Sequence, residues 1–380
     1  MNVWANVKLI TNFWPQSLCN TSDHPVSQRI LMLSIAHQLG HGVAVVLDIQ
    51  ARYLASCGHE VFMGGPLSQH DFAYPNCTRV ALDNPQEAAQ FANQNGIQTV
   101  IMHTPPFYST VRWLNPGVFT LAYDYGEPNP AFFPDAEMRT ALIVEKNFSI
   151  GLANEVYAIS QSVKAESPNT RCQVLSLGNS HLAIWGEKLA PRRLAARSHL
   201  ALVGQTLVLN VCRYHQAERY YKGIDIYLRV RDVMHRVSPQ AAGNIIFAIA
   251  GRAIPDDIKV MQEHGLRVFA NLSNEELIDL YCAADIYANF SRWEGYNLGI
   301  GQALAMGLPV VASDIPAHRA FDIFTTNDPA LAAKQLLTLA EKVSKAPNEQ
   351  ASAHLPRRPI VTPWSAHTKQ LGQILQQCIR

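Results

Sequence analysis

Residues 289–317 read N-F-S-R-W-E-G-Y-N-L-G-I-G-Q-A-L-A-M-G-L-P-V-V-A-S-D-I-P-A, and this order of residue types decides the fold. Trp293 and Glu294 precede a glycine-rich turn, a short helix follows, and an apolar strand begins near Pro309. Glu294 therefore lies on a loop, and Gln302 lies on the helix. Backbone N–H groups at the helix start favour an anion. The stretch predicts a site that grips a phosphorylated sugar.

Strands and helices alternate on both sides of this stretch. The pattern predicts strands at residues 30–36, 60–63, 99–103, 118–123, 155–159, 206–212, 244–250, 268–270, 286–289 and 310–312, and helices at 43–56, 85–95, 136–150, 224–234, 255–264, 274–282, 298–306 and 365–377. Strands joined by helices form parallel sheets. The sequence thus predicts an α/β protein with two doubly wound units, and an irregular linker between about residues 174 and 202.

Composition narrows the class of protein. The 380 residues are 48% hydrophobic and 16% charged, with a formal net charge of +1, which is typical of a soluble globular protein and not of a nucleic-acid binder. The seven cysteines form no C-x-x-C pair, which predicts separate thiols in a reducing, cytoplasmic compartment. We expect neither a membrane-spanning segment nor a signal peptide.

Two cations are candidates for binding a diphosphate. Arg213 directly follows the strand V-L-N-V-C, and Lys222 precedes Gly223 at the start of the next helix. Ligands of open α/β sheets bind beyond the carboxyl ends of the strands. Arginine offers a planar fork to phosphate oxygens and lysine a mobile point charge. A solvated surface pair is the alternative interpretation.

The first strand is followed by a glycine turn. Gly40 and Gly42 open a helix, and glycine lets a backbone approach a ligand closely. A tight turn without a ligand would have the same sequence. His37 and His41 have the spacing of a zinc site, but Gln38 stands where a zinc protease has glutamate, so we predict no metal site.

The opening stretch offers further contacts. Glu294 could accept hydrogen bonds from a sugar, and Gln302 could bond vicinal hydroxyls with its donor and its acceptor. Amides at the helix start could hold oxygens of the ligand, and they belong to Gly295, Tyr296, Asn297 and Leu298. The alternative is an ordinary strand-to-helix turn whose acid is favoured by the helix dipole.

Three residues end strands of the first unit. His103 precedes two prolines, and Tyr123 and Asp124 precede a proline-rich loop. We expect the two doubly wound units to face each other across a cleft, and His103 to face that cleft. Asp124 either contacts a sugar hydroxyl or caps the loop that follows it.

Taken in order, these features resemble the retaining glycosyltransferases of family four, which have the GT-B fold. The resemblance runs from Arg29 to the C-terminus. The motifs that carry it are I-L-M-L-S-I-A with the glycine turn, C-G-H-E-V, V-Y-A-I-S-Q-S-V-K, V-L-S-L-G-N, N-V-C-R with K-G-I-D, I-A-G-R, L-S-N-E-E-L-I-D-L-Y-C-A-A-D, and S-R-W-E-G-Y-N-L-G-I-G-Q-A-L-A-M-G-L-P-V-V-A-S.

The resemblance implies two Rossmann-like domains that face each other across a cleft. Residues 29–177 with 365–380 would form the acceptor side, residues 178–364 would bind the donor, and residues 1–28 would be an extension. The donor would be a nucleotide sugar, and no metal or other cofactor would be needed. The acceptor would be a glycan, a lipid-linked glycan or a small molecule, as in glycan, glycolipid or polysaccharide biosynthesis.

The resemblance also implies residue roles. Arg213 and Lys222 would hold the diphosphate, with Gly40 and Gly42 closing on it, and Glu294 would contact the donor sugar. Gln302 matches the acid that binds the ribose hydroxyls in the family. The base would lie near Ala270, Asn271 and Leu272.

Three positions depart from the family pattern. Gln302 stands where an acid is usual, Cys212 where glycine is common, and Tyr123 where a histidine often lies near the transferred sugar. His103 is a candidate to replace that histidine. These departures keep open a non-catalytic nucleotide-sugar or glycan-binding protein. A GT-B epimerase or phosphorylase is a third alternative.

Peripheral contact with the inner face of the membrane is a further alternative. Its candidates are Arg192, Arg193 and Arg197 in the predicted linker, with Trp4 and Trp14 of the extension. A solvated basic face is the other interpretation of the arginines.

Overall fold

The computed structural model describes residues 27–38, 40–68, 71–184, 188–345 and 359–377. Its strands are β1 Arg29–Leu33, β2 Glu60–Gly65, β3 Thr78–Ala81, β4 Thr99–Met102, β5 Phe119–Asp124, β6 Glu155–Ala158, β7 Gln173–Val174, β8 Thr206–Val211, β9 Ile245–Gly251, β10 Arg267–Ala270, β11 Ile286–Asn289, β12 Val310–Ala312 and β13 Phe324–Thr325. Its helices are α1 Gly42–Ser56, α2 Pro85–Gln94, α3 Ala136–Gly151, α4 Gln161–Glu166, α5 Leu189–His199, α6 Ile224–Val237, α7 Pro239–Ala242, α8 Pro255–Glu263, α9 Asn274–Ala283, α10 Leu298–Ala305, α11 Pro316–Arg319, α12 Pro329–Ser344 and α13 Trp364–Gln377. Two 3₁₀ helices span Phe107–Trp113 and Pro130–Phe132.

The strands form two parallel sheets, as the alternation predicts. The first has the order β3-β2-β1-β4-β5-β6-β7, and the second β10-β9-β8-β11-β12-β13. In each sheet the strand order reverses once, between β1 and β4 in the first and between β8 and β11 in the second. Crevices at such switch points bind ligands in open α/β sheets. The loops after these four strands are therefore where a site is expected.

The strands are apolar because both faces of each sheet are covered by helices. Ile30, Leu31, Met32 and Leu33 are fully buried in β1, as are the inner residues of β8. Helix starts are fixed by local caps. The Ser273 side chain accepts from Glu276 N while the Glu276 side chain accepts from Ser273 N, so α9 begins with a capping box.

The last helix packs on the first sheet. Trp364, Leu371, Ile374 and Leu375 of α13 belong to the same buried cluster as β1 and β4. A chain that has completed the second sheet thus returns to the first. Of the predicted extension, Trp4 and Trp14 lie outside the described residues.

The predicted irregular linker is wrong, because it contains α5. Arg193 of this helix is buried and forms an ion pair with Asp285. Arg197 also pairs with Asp285 at 2.9 Å, and Arg192 pairs with Asp279 at 2.6 Å. The arginines therefore tie α5 to the second sheet. They do not form the solvent-facing basic surface that a membrane contact would need.

Two smaller expectations also need correction. The first strand was expected to reach residue 36 but ends at Leu33, where the chain turns and Ser34 Oγ bonds Ala36 N at 2.9 Å. Cys57 is disulfide-bonded, so the expectation of separate thiols is wrong for this cysteine, whereas Cys77, Cys172, Cys212 and Cys282 are free thiols. None of the helices in the described ranges is long and apolar enough to cross a membrane.

Candidate active site

The loops after β8 and β11 bring Lys222 and Glu294 together. Lys222 Nζ lies 2.9 Å from both carboxylate oxygens of Glu294, and each side chain is only 11% exposed. Ser291 Oγ donates to the same carboxylate at 2.7 Å. Burial alone would lower the pKa of Lys222, but the Glu294 carboxylate raises that pKa above its usual value. The lysine is therefore a fixed cation.

Gly223 is the reason these two loops can meet. It has φ +64°, and a Cβ at this position would lie 1.8 Å from the carbonyl oxygen of Phe290. The backbone after Lys222 thus packs directly on the backbone that leads to Glu294. Arg292 N also donates to Tyr221 O at 2.7 Å across the same junction. Only glycine combines this conformation with this approach.

Arg213 lies beside this pair and has its own acid. Its Nη2 is 2.8 Å from Glu218 Oε1 and 3.2 Å from Tyr221 Oη, and Tyr221 donates to Glu218 at 3.0 Å. Both cations that the sequence predicted for a diphosphate are thus held by carboxylates. A diphosphate would compete with Glu218 and Glu294 for them.

The glycine turn of the first unit lies against the second unit. A Cβ built on Gly42 would lie 3.2 Å from Leu298 Cδ1, and one built on Gly40, at φ +87°, would lie 3.4 Å from Arg252 Cβ. His41 stands between these glycines at the start of α1. Burial, together with the charges of Arg213 and Arg252, lowers the pKa of His41 to about 4. Gly40 and Gly42 thus lie close to the second unit, which carries Arg213, Lys222 and Arg252.

The start of α10 also contacts the first unit. A Cβ on Gly295 would lie 2.3 Å from Tyr125 O, and Gly295 O accepts from Ser160 Oγ at 2.6 Å. Asn297 caps the helix by accepting from Ile300 N at 3.0 Å. Leu298 and Tyr296 pack on the cluster of the first sheet. These residues lie at the cleft, and their contact with a ligand stays a prediction.

Gln302 is buried in a chain of hydrogen bonds that the sequence did not reveal. Its amide atoms lie 2.8 Å from His181 Nε2 and 2.9 Å from Tyr281 Oη. Trp364 Nε1 donates to His181 Nδ1 at 3.2 Å, and Tyr281 Oη donates to Gly299 O at 3.2 Å. The amide is thus already satisfied on both sides.

The direction of these bonds follows from the indole. An indole nitrogen only donates, so His181 Nδ1 is an acceptor and the proton of the neutral ring is on Nε2. Burial lowers the pKa of His181 to about 4, which keeps the ring neutral. The structure places Gln302 Nε2 toward His181, and Oε1 accepts from Tyr281, which would set two donors against each other at His181 Nε2. We therefore assign the flipped amide, with the carbonyl toward His181 and the NH₂ toward Tyr281. An acid at position 302 could not gain a protonated histidine without breaking the Trp364 bond.

We therefore expect Gln302→Glu to lower the free energy of unfolding by about 2 kcal/mol, because it buries a carboxylate without a cation. In the Q302E/W364F double variant, Nδ1 is free to take a proton and His181 can become that cation. The double variant should consequently be more stable than the sum of the two single losses. Urea unfolding of the four proteins of this cycle measures the difference, and additive losses would contradict the network.

Three predicted residues of the first unit are covered. The rings of His103 and Tyr123 are fully buried and stacked with centroids 4.8 Å apart, and His103 Nδ1 lies 2.9 Å from Tyr125 Oη. Burial lowers the pKa of His103 to about 3. Their contact with a sugar stays a prediction and would require the rings to be uncovered, since His103 does not face the cleft as we expected.

Asp124 caps the loop that follows its strand, as the second of the two interpretations of this residue predicts. It pairs with the buried Lys146 at 2.9 Å and accepts from Gly126 N at 2.9 Å, so it caps the loop that follows β5. Contact of Asp124 with a sugar hydroxyl stays a prediction.

The predicted base region lies at the end of β10. Asn271 has φ +56° and its side chain bonds both Ala253 N and Ala253 O, at 3.2 and 3.0 Å. Ala270 and Leu272 are partly buried on either side of it. This turn is next to Arg252, and contact with a base stays a prediction.

Sequence reasoning missed Arg252, Glu218 and His181. Arg252 directly follows β9, so the rule that selected Arg213 could have found it. Nothing local marks Glu218 or His181. In the parts of the chain that the structure describes, no group of three or more His, Cys, Asp or Glu side chains could hold a metal ion.

Residues 176–345 match the family model of Glycosyl transferases group 1. The matched segment holds the whole second sheet with Arg213, Lys222, Glu294 and Gln302. A sequence comparison with curated proteins found no match.

Solved structures extend the likeness to the first unit. Sucrose-phosphate synthase from Thermosynechococcus elongatus is 18% identical with a TM-score of 0.70, and the alignment covers 93% of this chain and 99% of that one. Anabaena HepE, solved with UDP and glucose, is 16% identical with a TM-score of 0.66, covering 92% and 99%. WaaG, a glycosyltransferase of lipopolysaccharide biosynthesis, is 12% identical with a TM-score of 0.65, covering 91% and 99%. The GT-B fold predicted from the sequence is thus confirmed.

Proposed function

We propose that the protein is a glycosyltransferase that moves a sugar from a nucleoside diphosphate to an acceptor hydroxyl, with retention at the anomeric carbon. The family model on the second unit and the glycosyltransferase neighbours support this function. HepE, which was solved with UDP and glucose, supports a nucleotide-sugar donor. The observation that carries the proposal is the buried Lys222–Glu294 pair beside Arg213 at the second switch point.

Binding of the donor diphosphate would itself release a carboxylate that can bind the donor sugar. A diphosphate that takes Lys222 and Arg213 releases the carboxylate of Glu294. Glu294 can then accept hydrogen bonds from hydroxyls of the donor sugar. The lysine and the carboxylate are held in place by Gly223 and Ser291, so neither group needs a large rearrangement to reach the ligand.

The reaction breaks the bond between the anomeric carbon and the phosphate oxygen. The leaving oxygen keeps the electron pair, and the acceptor oxygen forms its bond to the same face of the sugar. The acceptor proton passes to the departing phosphate oxygen, so charge and atoms balance. Lys222 and Arg213 stabilise the negative charge that develops on the diphosphate, and closure of the two units excludes water.

The proposal needs no metal ion, because fixed cations take the role of neutralising the diphosphate. The acceptor is a glycan, a lipid-linked glycan or a small molecule, and its class is not fixed by the donor side. We place the reaction in the cytoplasm.

A thermal-shift screen with UDP, GDP, ADP and their sugars tests the donor site. A ligand at a hundred times its dissociation constant adds about 2.7 kcal/mol to the stability of the native state. We expect one base to raise the melting temperature and R213A to abolish the rise. The absence of a shift with every nucleotide would contradict the proposal. A shift without turnover would favour the non-catalytic binding protein.

A further inference from the structure

Arg252 is a further cation of the cleft, and it differs from Arg213 and Lys222 in its partners. It follows β9 directly, so it lies at the carboxyl edge of the second sheet, as Arg213 does. Within the described ranges, no ion pair involves Arg252, and its Nη1 is buried without a hydrogen-bond partner. Buried guanidinium nitrogens are normally bonded. The contrast with Arg213 and Lys222, which are both held by carboxylates, sets Arg252 apart.

The side chain of Arg252 lies against the glycine turn of the other unit. A Cβ on Gly40 would be 3.4 Å from Arg252 Cβ and 4.0 Å from its Cδ. Besides burial, the charges of Arg213 and Arg252 both lower the pKa of His41, so both arginines act on this residue of the glycine turn. His41 is the first residue before α1 and its side chain makes no capping hydrogen bond there. This 15-residue helix begins at Gly42, so its unpaired N-terminal amides start next to His41.

These groups leave an uncompensated positive charge in the cleft. Glu218 offsets Arg213 and Glu294 offsets Lys222. Among the described residues no ion pair offsets Arg252, and α1 has no acidic residue in its first turn. An anion that binds Arg252 does not have to displace a carboxylate first. We therefore expect the contact with Arg252 to contribute more binding free energy than the contacts with Arg213 and Lys222.

We propose that Arg252 is a third diphosphate-binding cation, which bonds the ligand from the second unit at the point where the glycine turn closes on it. This inference rests on the proposed function and deepens it. Arg252 is the first cation to bind the diphosphate, and Arg213 and Lys222 follow as the ligand displaces their acids. Its side chain also reaches the first unit, so its contact links binding to closure of the cleft.

Titration calorimetry with UDP, GDP, ADP and inorganic pyrophosphate tests this role in the full chain. Arg252→Met keeps the stem that packs on Gly40 and removes the charge. We expect it to weaken the binding of the preferred nucleotide and of pyrophosphate by at least about tenfold. Arg252→Lys should retain part of the affinity. The slope of log affinity against log salt should be shallower for R252M, because one charge fewer meets the ligand.

Arg229 on α6 provides the matched control, since it is exposed on a helix that contains none of the candidate site residues. R229M removes the same charge from the same unit and should bind like the wild type. The melting temperature of each variant without ligand checks that it folds, and Arg252→Gln serves if R252M does not.

The outcomes separate the two proposals. Nucleotide binding by the wild type with unchanged affinity in R252M and R252Q would overturn the role of Arg252 and leave the proposed function standing. A wild-type protein that binds none of the four probes would overturn both. Loss of affinity in R252M with an unchanged salt slope would assign Arg252 to packing and would also overturn the role.

Discussion

Replacing Lys222 with alanine is expected to lower the rate of donor turnover by at least about a hundredfold. Its Nζ is fixed 2.9 Å from both oxygens of Glu294, beside Arg213. In the proposed reaction, negative charge develops there on the leaving diphosphate. A preorganised cation in such a site lowers the barrier by about 3 kcal/mol. Initial rates of nucleotide release from the preferred donor measure the effect, and R213A should show a loss of similar size.

The control separates the charge from stability. K259A removes a lysine that is 76% exposed on α8 and should turn over at the wild-type rate. K222A leaves the Glu294 carboxylate without its cation, which itself destabilises the fold. The double variant K222A/E294Q removes that carboxylate, so it should recover stability and not rate. Near-normal turnover in both K222A and R213A would contradict the role of these two cations in stabilising the leaving diphosphate.

Replacing Gly223 with alanine is expected to have the largest effect on stability, a loss of at least about 3 kcal/mol. The residue has φ +64°, and the new Cβ would lie 1.8 Å from Phe290 O and 2.5 Å from Phe290 C. Backbone cannot move aside as the end of a side chain can. The junction that holds Lys222 against Glu294 would therefore open, and turnover would fall with stability.

Gly204 provides the control for the Gly223→Ala variant. It has nearly the same conformation, φ +67°, but nothing lies within 4 Å of the place where its Cβ would be. G204A should cost only the strain of the left-handed conformation, about 1 kcal/mol. Urea unfolding midpoints of the two variants give the difference. Equal losses would show that the contact with Phe290 does not constrain the loop.

Most of the fold could be predicted because its strands are short, apolar and regularly separated by helices. Strands β11 and β12 lie at the predicted residues, and helix α10 differs only by its last residue. Helix α5 could not be predicted from its own residues. Three arginines in eleven positions resemble a polar linker, and only Asp285 and Asp279, distant in sequence, make them part of a packed helix.

The candidate site, like the fold, could be predicted from the sequence only in part. Its cations follow strands of a parallel sheet, so topology alone indicates Arg213 and Lys222. The acids that hold them come from the loops, and Glu218 has no signature in the sequence. Gln302 depends on His181 and Trp364, which lie more than sixty positions away in opposite directions, so the reason for an amide in place of an acid is visible only in three dimensions.

Incubation of the wild type with UDP-, GDP- and ADP-sugars, with product analysis by chromatography, tests the central claim most directly. The account predicts that one donor releases its nucleoside diphosphate and free sugar slowly without an acceptor, and that K222A abolishes the release. Donors that bind and stay intact, with no transfer to any acceptor, would contradict it. Release of a sugar phosphate in place of the nucleoside diphosphate would contradict it as well and would indicate phosphorylase chemistry.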